Sequence, residues 1–361
     1  MGITDQLQRF SGKRVFITGH TGFKGSWLCY WLHSLGAIIK GFSLAPVTQP
    51  NLFSNLSITN KFVSITGNIN DAVLLQKELI SFQPDYIFHL AAQPLVRKSY
   101  KDPLETFTTN VVGTANVLNA VRFLDKPCVC ICITTDKVYQ NNEWIYPYRE
   151  NDRLGGHDPY SASKACAEVV ISSFTNAYFN LNNFAQHQKA IASARAGNVI
   201  GGGDWSEDRL IPDIVKALIE EEEIIIRNPN AVRPWQHVME PLLGYMQLAL
   251  LLKSDATKYS GAWNFGPQTE DNFSVLHLSD IAINVWGSGS TKVGEDANAP
   301  HEARLLRLDI SKAVGELNWT PKMRAAEAVK RTINWYKGFY NGGKATDLMD
   351  EDLKHYQSLF N

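Results

Sequence analysis

Lys13-Arg14-Val15-Phe16-Ile17-Thr18-Gly19-His20-Thr21-Gly22-Phe23-Lys24-Gly25 is the stretch that decides the fold. Residues 13–18 read as a buried strand, rich in β-branched and aromatic side chains. Three glycines follow at once in the spacing GxxGxxG, and residues 25–35 carry a helical pattern. Glycines let a backbone turn tightly and approach a pyrophosphate, whose charge suits a helix N-terminus. An ordinary tight turn would use the same glycines. The strand before and the helix after favour the phosphate reading.

The same rhythm continues outward. Residues 37–44, 61–65, 85–90 and 128–134 read as strands; 71–81 and 103–124 read as helices. Strands alternating with helices imply a parallel sheet covered on both faces, an α/β, Rossmann-type doubly wound fold. Ligands of such sheets sit at the carboxyl ends of the strands. Gly19, Ala91 and Thr135 all follow strand ends and should line one rim. After Arg195 the rhythm changes. Gly201-Gly202-Gly203-Asp204-Trp205 precedes a helix at 212–222, a short strand at 224–226, a sheet strand at 262–265 and a helix at 275–286. This predicts a smaller C-terminal lobe, with the chain crossing between lobes more than once.

Composition narrows the function. The chain has 361 residues, 44% hydrophobic and 20% charged, as a folded globular protein does. Its formal charge is -1, from 35 basic and 36 acidic residues. That balance provides no basic footprint for nucleic acid and no polybasic membrane patch. Residues 1–12 lack the apolar core of a signal peptide. The longest apolar run, 242–252, is interrupted by Gln247 and is too short for a membrane span. Five cysteines, an odd number, argue against a disulfide framework. Cys128, Cys130 and Cys132 alternate, so they share one strand face; they read as small buried side chains rather than a metal site. The expectation is a cytoplasmic, reduced protein without metal. Glu220 to Glu223 read as a solvated helix end.

Tyr160 and Lys164 lie four apart, on one helix face. A free phenol has a pKa of about 10, too high for an efficient base at neutral pH. A nearby ammonium lowers it. Upstream stands Thr134-Thr135-Asp136-Lys137, which adds a carboxyl and a second amine. A redox step needs the first pair; loss of water from a sugar needs groups such as the second.

The turn, His89-Leu90-Ala91-Ala92, Asn110 with Gly113-Thr114, and Tyr160-x-x-x-Lys164 together resemble the extended branch of the short-chain dehydrogenase/reductases, over about the first two-thirds of the chain. Thr135-Asp136-Lys137 resembles the CDP-glucose 4,6-dehydratases, where a sister branch has Thr-Asp-Glu. Gly201 to Trp205, Arg233-Pro234-Trp235-Gln236-His237 and Pro300-His301-Glu302-Ala303-Arg304 fit the same family and extend the match over nearly the whole chain. Thr-Asp-Lys also occurs in inverting UDP-N-acetylglucosamine 4,6-dehydratases, but there the tyrosine lies closer in sequence.

The resemblance implies NAD as cofactor, held by Gly19, Thr21, Gly22, Phe23, Gly25, Ser43, Asn68, Ile69, Ala91, Ala92, Tyr160 and Lys164. Ser43 stands where an acidic residue usually binds the adenosine ribose. No arginine stands beside it for an NADP phosphate, though Lys40 lies on the strand. It implies CDP-glucose as substrate, with Gln93, Asn198, Trp205, Arg209, Arg233 and Arg304 contacting it. Trp205 and Trp235 read equally as stacking platforms or lobe-interface core, and His89 as a packed, hydrogen-bonded histidine. It divides the chain into an NAD-binding domain, 1–205 with returning segments at about 236–268, and a nucleotide-sugar lobe, mainly 206–235 and 269–361. It implies a homodimer or higher homo-oligomer, paired through helices like those after Pro103 and containing Tyr160. The implied place is deoxysugar biosynthesis for lipopolysaccharide O-antigen. In the implied chemistry Tyr160 deprotonates the sugar 4-hydroxyl, Thr135 holds that oxygen, and Asp136 is the acid at O6. Lys137 is the base at C5, an electrostatic stabiliser of the enolate, or an ion-pair partner of Asp136. The alternatives are another nucleotide-sugar dehydratase, a 4-epimerase, or a non-catalytic nicotinamide-binding sensor.

Overall fold

The computed structural model describes residues 2–56, 58, 60–268, 270–271, 273–294 and 305–360. Seven strands form the main sheet, numbered here along the chain: β1 (Arg14–Thr18), β2 (Ile38–Ser43), β3 (Val63–Thr66), β4 (Tyr86–His89), β5 (Cys128–Ile133), β6 (Lys189–Ala196) and β7 (Gly261–Phe265). Their spatial order is β7-β6-β5-β4-β1-β2-β3, and every neighbouring pair is parallel. The order reverses between β1 and β4, where Ile17 stands beside Gly41 on one side and Phe88 on the other. Connections leave opposite faces there, so a crevice opens at the carboxyl ends of the strands.

Successive side chains alternate between faces, and both faces are buried. Val15, Ile17, Phe88 and Ile131 pack under the helices Phe23–Ser34 and Met239–Ser254. Phe16, Ile87, Cys128, Cys130 and Cys132 pack under Ala72–Phe82, Gly113–Val121 and Pro159–Ala177. The three cysteines are thus small core side chains, with the Sγ atoms of Cys130 and Cys132 3.9 Å apart. The apolar run at 242–252 is an interior helix, fully buried through most of its length. Among the described residues no helix is long and apolar enough to cross a membrane. Glu220 to Glu223 are exposed at a helix end, as their charge dictates.

Two elements differ from the sequence reading. β6, eight buried residues between β5 and β7, was not anticipated. Its Lys-Ala-Ile-Ala-Ser-Ala-Arg-Ala sequence lacks the bulky β-branched run that marks a strand. The helix expected at 103–124 is three pieces: Pro103–Phe107, a wide π turn at Thr108–Val112, and Gly113–Val121. The wide turn places Asn110 at the back of the crevice.

Beyond β6 the chain adds two-stranded ladders outside the main sheet. Val199–Ile200 pairs with Gln236–His237, Val232–Arg233 with Phe273–Ser274, and Ile224–Ile226 with Thr291–Val293. The helices Ala325–Tyr340 and Ala345–Ser358 return to the sheet layer, where Tyr30 donates to Asp350 at 2.6 Å.

Candidate active site

The glycine turn follows from packing. Gly19 has a φ of +76°, and a Cβ there would lie 2.7 Å from the Ala91 amide nitrogen. At Gly25 a Cβ would lie 2.1 Å from the Gly19 carbonyl oxygen. Only a bare backbone lets the turn, the loop after β4 and the first helical turn meet this closely. Gly22 precedes the helix and no side chain caps its amide groups, so they remain donors for an anion.

The rim expected to hold the adenosine is polar and uncharged. Thr21 Oγ1 lies 2.8 Å from Ser43 Oγ and donates to the Leu44 carbonyl. Lys40 ion-pairs with Glu78 at 2.5 Å and donates to Ser81. It is therefore committed to the helix behind the sheet. Asn68 is exposed, its Oδ1 accepting from the Asn70 amide at 2.9 Å. Ile69 is buried, filling the space that a side chain at Gly113 would take.

Behind Ala91 and Ala92 runs a buried hydrogen-bond chain. Thr18 Oγ1 meets His89 Nδ1 at 2.7 Å, and His89 Nε2 meets Thr114 Oγ1 at 3.0 Å. Burial drives the His89 pKa down to about 3, so the ring is neutral. His89 is the packed, hydrogen-bonded histidine its position suggested. Asn110 accepts from the Gln93 amide at 2.8 Å and donates to its carbonyl and to Ser163. Gln93 spends its own side-chain amide on Leu95 and Thr106.

The catalytic candidates converge at the ends of β5 and the helix Pro159–Ala177. Asp158 caps that helix, accepting from the Ser161 amide at 3.0 Å. Thr135 donates to Asp136 Oδ1 at 2.9 Å and shares a hydrogen bond with the Tyr160 phenol. Asp136 is 2% exposed, yet its second oxygen, Oδ2, has no partner. Burial raises its pKa, against the pull of Lys137, the Thr135 hydrogen bond and Arg233. Lys164 Nζ donates to the Ile133 carbonyl at 2.9 Å. Burial lowers its pKa to about 8, opposed by Glu168. Burial raises Tyr160 to about 12, opposed by Thr135 and Arg209, so the lowering expected from Lys164 is not found and burial prevails. Lys137 is part-exposed beside Asp136.

The substrate candidates divide. Arg209 ion-pairs with Asp204 at 3.1 Å and acts on Tyr160. Arg233 donates to the Val232 carbonyl and acts on Asp136. Asn198 follows Gly197, where a Cβ would lie 3.1 Å from Asp136 Oδ2. These three border the catalytic cluster. Trp205 instead sits in an aromatic group with Trp335, Tyr336 and Phe339, its indole donating to Tyr340 at 3.0 Å. Trp235 is buried, its indole nitrogen unpartnered. Arg304 and the Pro300-to-Arg304 motif lie outside the described residues. Among the described residues no group of three or more His, Cys, Asp or Glu could hold a metal ion.

Sequence reasoning missed two features. Glu168 and Arg195 form a buried pair at 2.8 Å behind the cluster, and Glu168 also accepts from Thr134 at 2.5 Å and from Ser193 at 2.8 Å. The signal was there: Tyr160, Lys164 and Glu168 repeat every four residues on one helix. Lys24, inside the turn itself, was given no role; burial lowers its pKa to about 7.

Three comparisons place this geometry. Residues 16–332 match the family model described as GDP-mannose 4,6 dehydratase. The chain is 46% identical over 349 residues to a CDP-glucose 4,6-dehydratase of Salmonella typhimurium, covering 97% of each protein. It is 27% identical to a dTDP-glucose 4,6-dehydratase of Streptomyces antibioticus, covering 90% of this chain and 92% of that one. Among solved structures, the epimerase Mth375 of Methanothermobacter thermautotrophicus superposes with a TM-score of 0.82 at 23% identity, covering 94% of this chain and 96% of that one. The dTDP-glucose 4,6-dehydratase DesIV of Streptomyces venezuelae, solved with NAD and TYD bound, gives 0.77 at 23% identity, covering 92% and 99%. A family match over most of the chain and a relative of 46% identity along nearly all of it agree with the crevice, the turn and the Thr-Asp-Lys cluster: the chain belongs to the GDP-mannose 4,6 dehydratase family.

Proposed function

We propose that this protein is a CDP-glucose 4,6-dehydratase that uses NAD and converts CDP-D-glucose to CDP-4-keto-6-deoxy-D-glucose. The observation that carries the reading is Asp136: a buried carboxyl with one unpartnered oxygen, beside Thr135, Tyr160 and Lys137. A sugar oxidation needs only a base at the 4-hydroxyl. A second, protonatable acid next to that base serves a leaving group. The relative of 46% identity, a CDP-glucose 4,6-dehydratase, supports the choice of sugar nucleotide.

The residues present fit a dinucleotide. The turn is a cradle that a Cβ at Gly19 or Gly25 would fill, and the bare helix N-terminus faces the same space. Lys40 is committed to Glu78 and Ser43 is neutral, so neither favours a 2′-phosphate, which supports NAD over NADP. NAD, when bound, supplies the acceptor and later the donor of one hydride.

The chain's own groups move the protons. Tyr160 takes the proton of the sugar 4-hydroxyl, and Thr135 holds that oxygen. The 4-ketone acidifies the C5 hydrogen. Lys137 removes that proton or stabilises the resulting enolate. Asp136, whose carboxyl burial makes easier to protonate, gives its proton to the departing 6-hydroxyl, which leaves as water. Lys164, one helical turn along from Tyr160, is held by its bond to the Ile133 carbonyl. Arg209 and Arg233 are placed to meet the substrate diphosphate. Arg304 completes that set in this reading.

We assign the assembly as a homodimer through the helices Pro103–Phe107, Gly113–Val121 and Pro159–Ala177. Leu104 and Val169, on the outer faces of these helices, are 78% and 59% exposed. The reading places the enzyme in the cytoplasm, in deoxysugar biosynthesis.

The test is direct. The purified chain is incubated with NAD and, separately, CDP-glucose, dTDP-glucose, UDP-glucose and GDP-mannose, and the products are weighed by mass spectrometry. Loss of one water from CDP-glucose alone is expected. Water loss from another sugar would keep the mechanism and overturn the base assignment. Unchanged mass with every sugar would overturn the dehydratase reading in favour of an epimerase or a sensor.

A further inference from the structure

The turn that carries the proposed acid is tied at both ends to one buried ion pair. Asp136 opens the short turn Asp136–Val138, capped by Thr135. Its carboxyl is bonded to the Thr135 hydroxyl and the Lys137 amide, both members of the same turn. The place of the acid in the cleft is therefore the place of the turn. Tyr160 is held differently. It lies in the first turn of a 19-residue helix, and its amide donates to Ser99 Oγ at 3.1 Å.

On the entering side of the turn, Thr134 Oγ1 donates to Glu168 Oε1 at 2.5 Å. On the leaving side, Tyr139 Oη accepts from Arg195 Nη1 at 2.8 Å and donates to Asn264 Oδ1 at 2.7 Å. Glu168 and Arg195 join these two ends through a pair of bonds, Nε to Oε1 at 3.0 Å and Nη2 to Oε2 at 2.8 Å. Ser193 also donates to Oε2, and the Glu150 carbonyl also accepts from Nη1. Both side chains are 4% exposed. Burial pushes the Glu168 pKa up, but the bonds from Arg195, Thr134 and Ser193 overcome it and hold the carboxyl below its usual range, so the pair is charged. An apolar pair of the same volume is often as stable as a buried ion pair. What the ions add is geometry, because the guanidinium fork is planar and rigid. Glu168 stands about two helical turns beyond Tyr160 on the same helix. The pair thus links the entry of the turn, its exit and the helix of the phenol.

We propose that Glu168 and Arg195 are positioning residues for the loss of water, clamping both ends of the Thr135–Val138 turn so that the Asp136 carboxyl is set against the helix that carries Tyr160. The inference rests on the proposed function for the reaction. Tyr160 keeps its place on its own helix, so slackening the clamp displaces the acid more than the phenol. Protonation of the 6-hydroxyl then slows more than oxidation at C4.

Replacing Glu168 or Arg195 would leave an unpaired buried charge and endanger the fold, so the experiment cuts the arms instead. Thr134→Val and Tyr139→Phe each remove one hydroxyl, keep the shape of the side chain and leave the ion pair whole. Thermal melting shows that each variant is folded. The unmodified chain and the variants are then mixed with NAD and CDP-glucose; water loss is followed by mass spectrometry and cofactor reduction by the absorbance of NADH. Misplacing a reacting group by about 1 Å costs on the order of a hundredfold in rate. Each variant is expected to lose water about ten- to hundredfold more slowly, with KM for CDP-glucose unchanged and reduced cofactor accumulating. Thr134→Ser returns the hydroxyl and should restore the rate. The proposal is overturned if either arm variant loses water at the unmodified rate. It is equally overturned if oxidation and water loss slow by the same factor, as a purely structural role would have it, or if Thr134→Ser stays as slow as Thr134→Val. If the unmodified chain itself loses no water from CDP-glucose, the proposed function falls, and the step assigned to the clamp falls with it.

Discussion

At the scale of single residues, the site separates two jobs that the same carboxyl or amine could otherwise confuse. Tyr160 is hydrogen-bonded through Thr135, while Asp136 Oδ2 is left without a partner. An unpartnered buried oxygen is costly in a resting fold and useful where a substrate hydroxyl must be protonated. Asp136→Asn keeps the shape and the bond to Thr135 but cannot give up a proton. We expect it to slow water loss by about 10²–10⁴-fold while sugar-driven reduction of the cofactor, read at its absorbance, persists and accumulates. Lys137→Ala should behave likewise, because in the proposed reaction its role follows ketone formation. Loss of cofactor reduction together with water loss in either variant would refute this division of roles. Tyr160, Lys164, Thr135 and Asp136 were all legible in the sequence, because their spacing is local: four residues on a helix, or two at a strand end. Trp205 shows the limit. Its ring packs on Trp335 and Phe339, more than a hundred residues away, and no local pattern announces such a partner.

At the scale of elements, the glycine turn was readable and β6 was not, for opposite physical reasons. Gly19, Gly22 and Gly25 mark close backbone approach directly, since any Cβ at Gly19 or Gly25 would collide with main chain. β6 hides its nature: its buried positions are filled by alanine and serine, and the charge of Arg195 is cancelled by Glu168 on the preceding long helix. Strand propensity measures packing against neighbours, and here the neighbours do the specifying. The π turn at Thr108–Val112 is invisible for the same reason, being set by the Asn110 bonds to Gln93 and Ser163. The turn yields a test at its own scale. Gly25→Ala places a methyl 2.1 Å from the Gly19 carbonyl oxygen, so the helix must back away from the strand end. Such overpacking costs about 1–3 kcal/mol, and we expect NAD affinity to fall at least about tenfold in titration. Gly315→Ala, where the added methyl meets nothing within 4 Å, is the control and should bind as before. Equal affinity in both variants would show that the turn does not hold the cofactor.

At the scale of the whole molecule, the exposed Leu104 and Val169 predict that Leu104→Glu with Val169→Glu yields a monomer by sedimentation, where the unmodified chain is expected to be the proposed dimer. A double variant that stays dimeric would place the contact elsewhere. Within one chain, long-range closure runs through Glu240, fully buried at the start of the central helix Met239–Ser254. Its Oε1 accepts from the amides of Lys322 and Met323 at 2.8 and 2.6 Å, and its Oε2 from Tyr356 at 2.7 Å. One carboxyl thus ties the interior helix to segments 82, 83 and 116 residues further along. Burial outweighs these bonds and raises its pKa from 4.5 to about 7. The folded chain therefore holds a proton on Glu240 that the unfolded chain has released above pH 4.5. Stability from this group is fully present below that pH, falls as pH rises toward 7, and is level above it. The limiting slope is about 1.4 kcal/mol per pH unit. The buried histidines His20, His89 and His237 run the other way, with pKa values lowered by burial to about 4, 3 and 3, so they destabilise the fold as pH drops below 6.5. A single pH profile would mix these opposed effects. Glu240→Gln isolates one of them: its amide can accept the same backbone bonds and donate to Tyr356, but it does not titrate. Urea midpoints at pH 5, 6, 7 and 8 should show the unmodified chain losing stability relative to Glu240→Gln between pH 5 and 7, with the gap constant from 7 to 8. Parallel profiles would mean that Glu240 stays ionised in the fold, and that its three hydrogen bonds outweigh its burial.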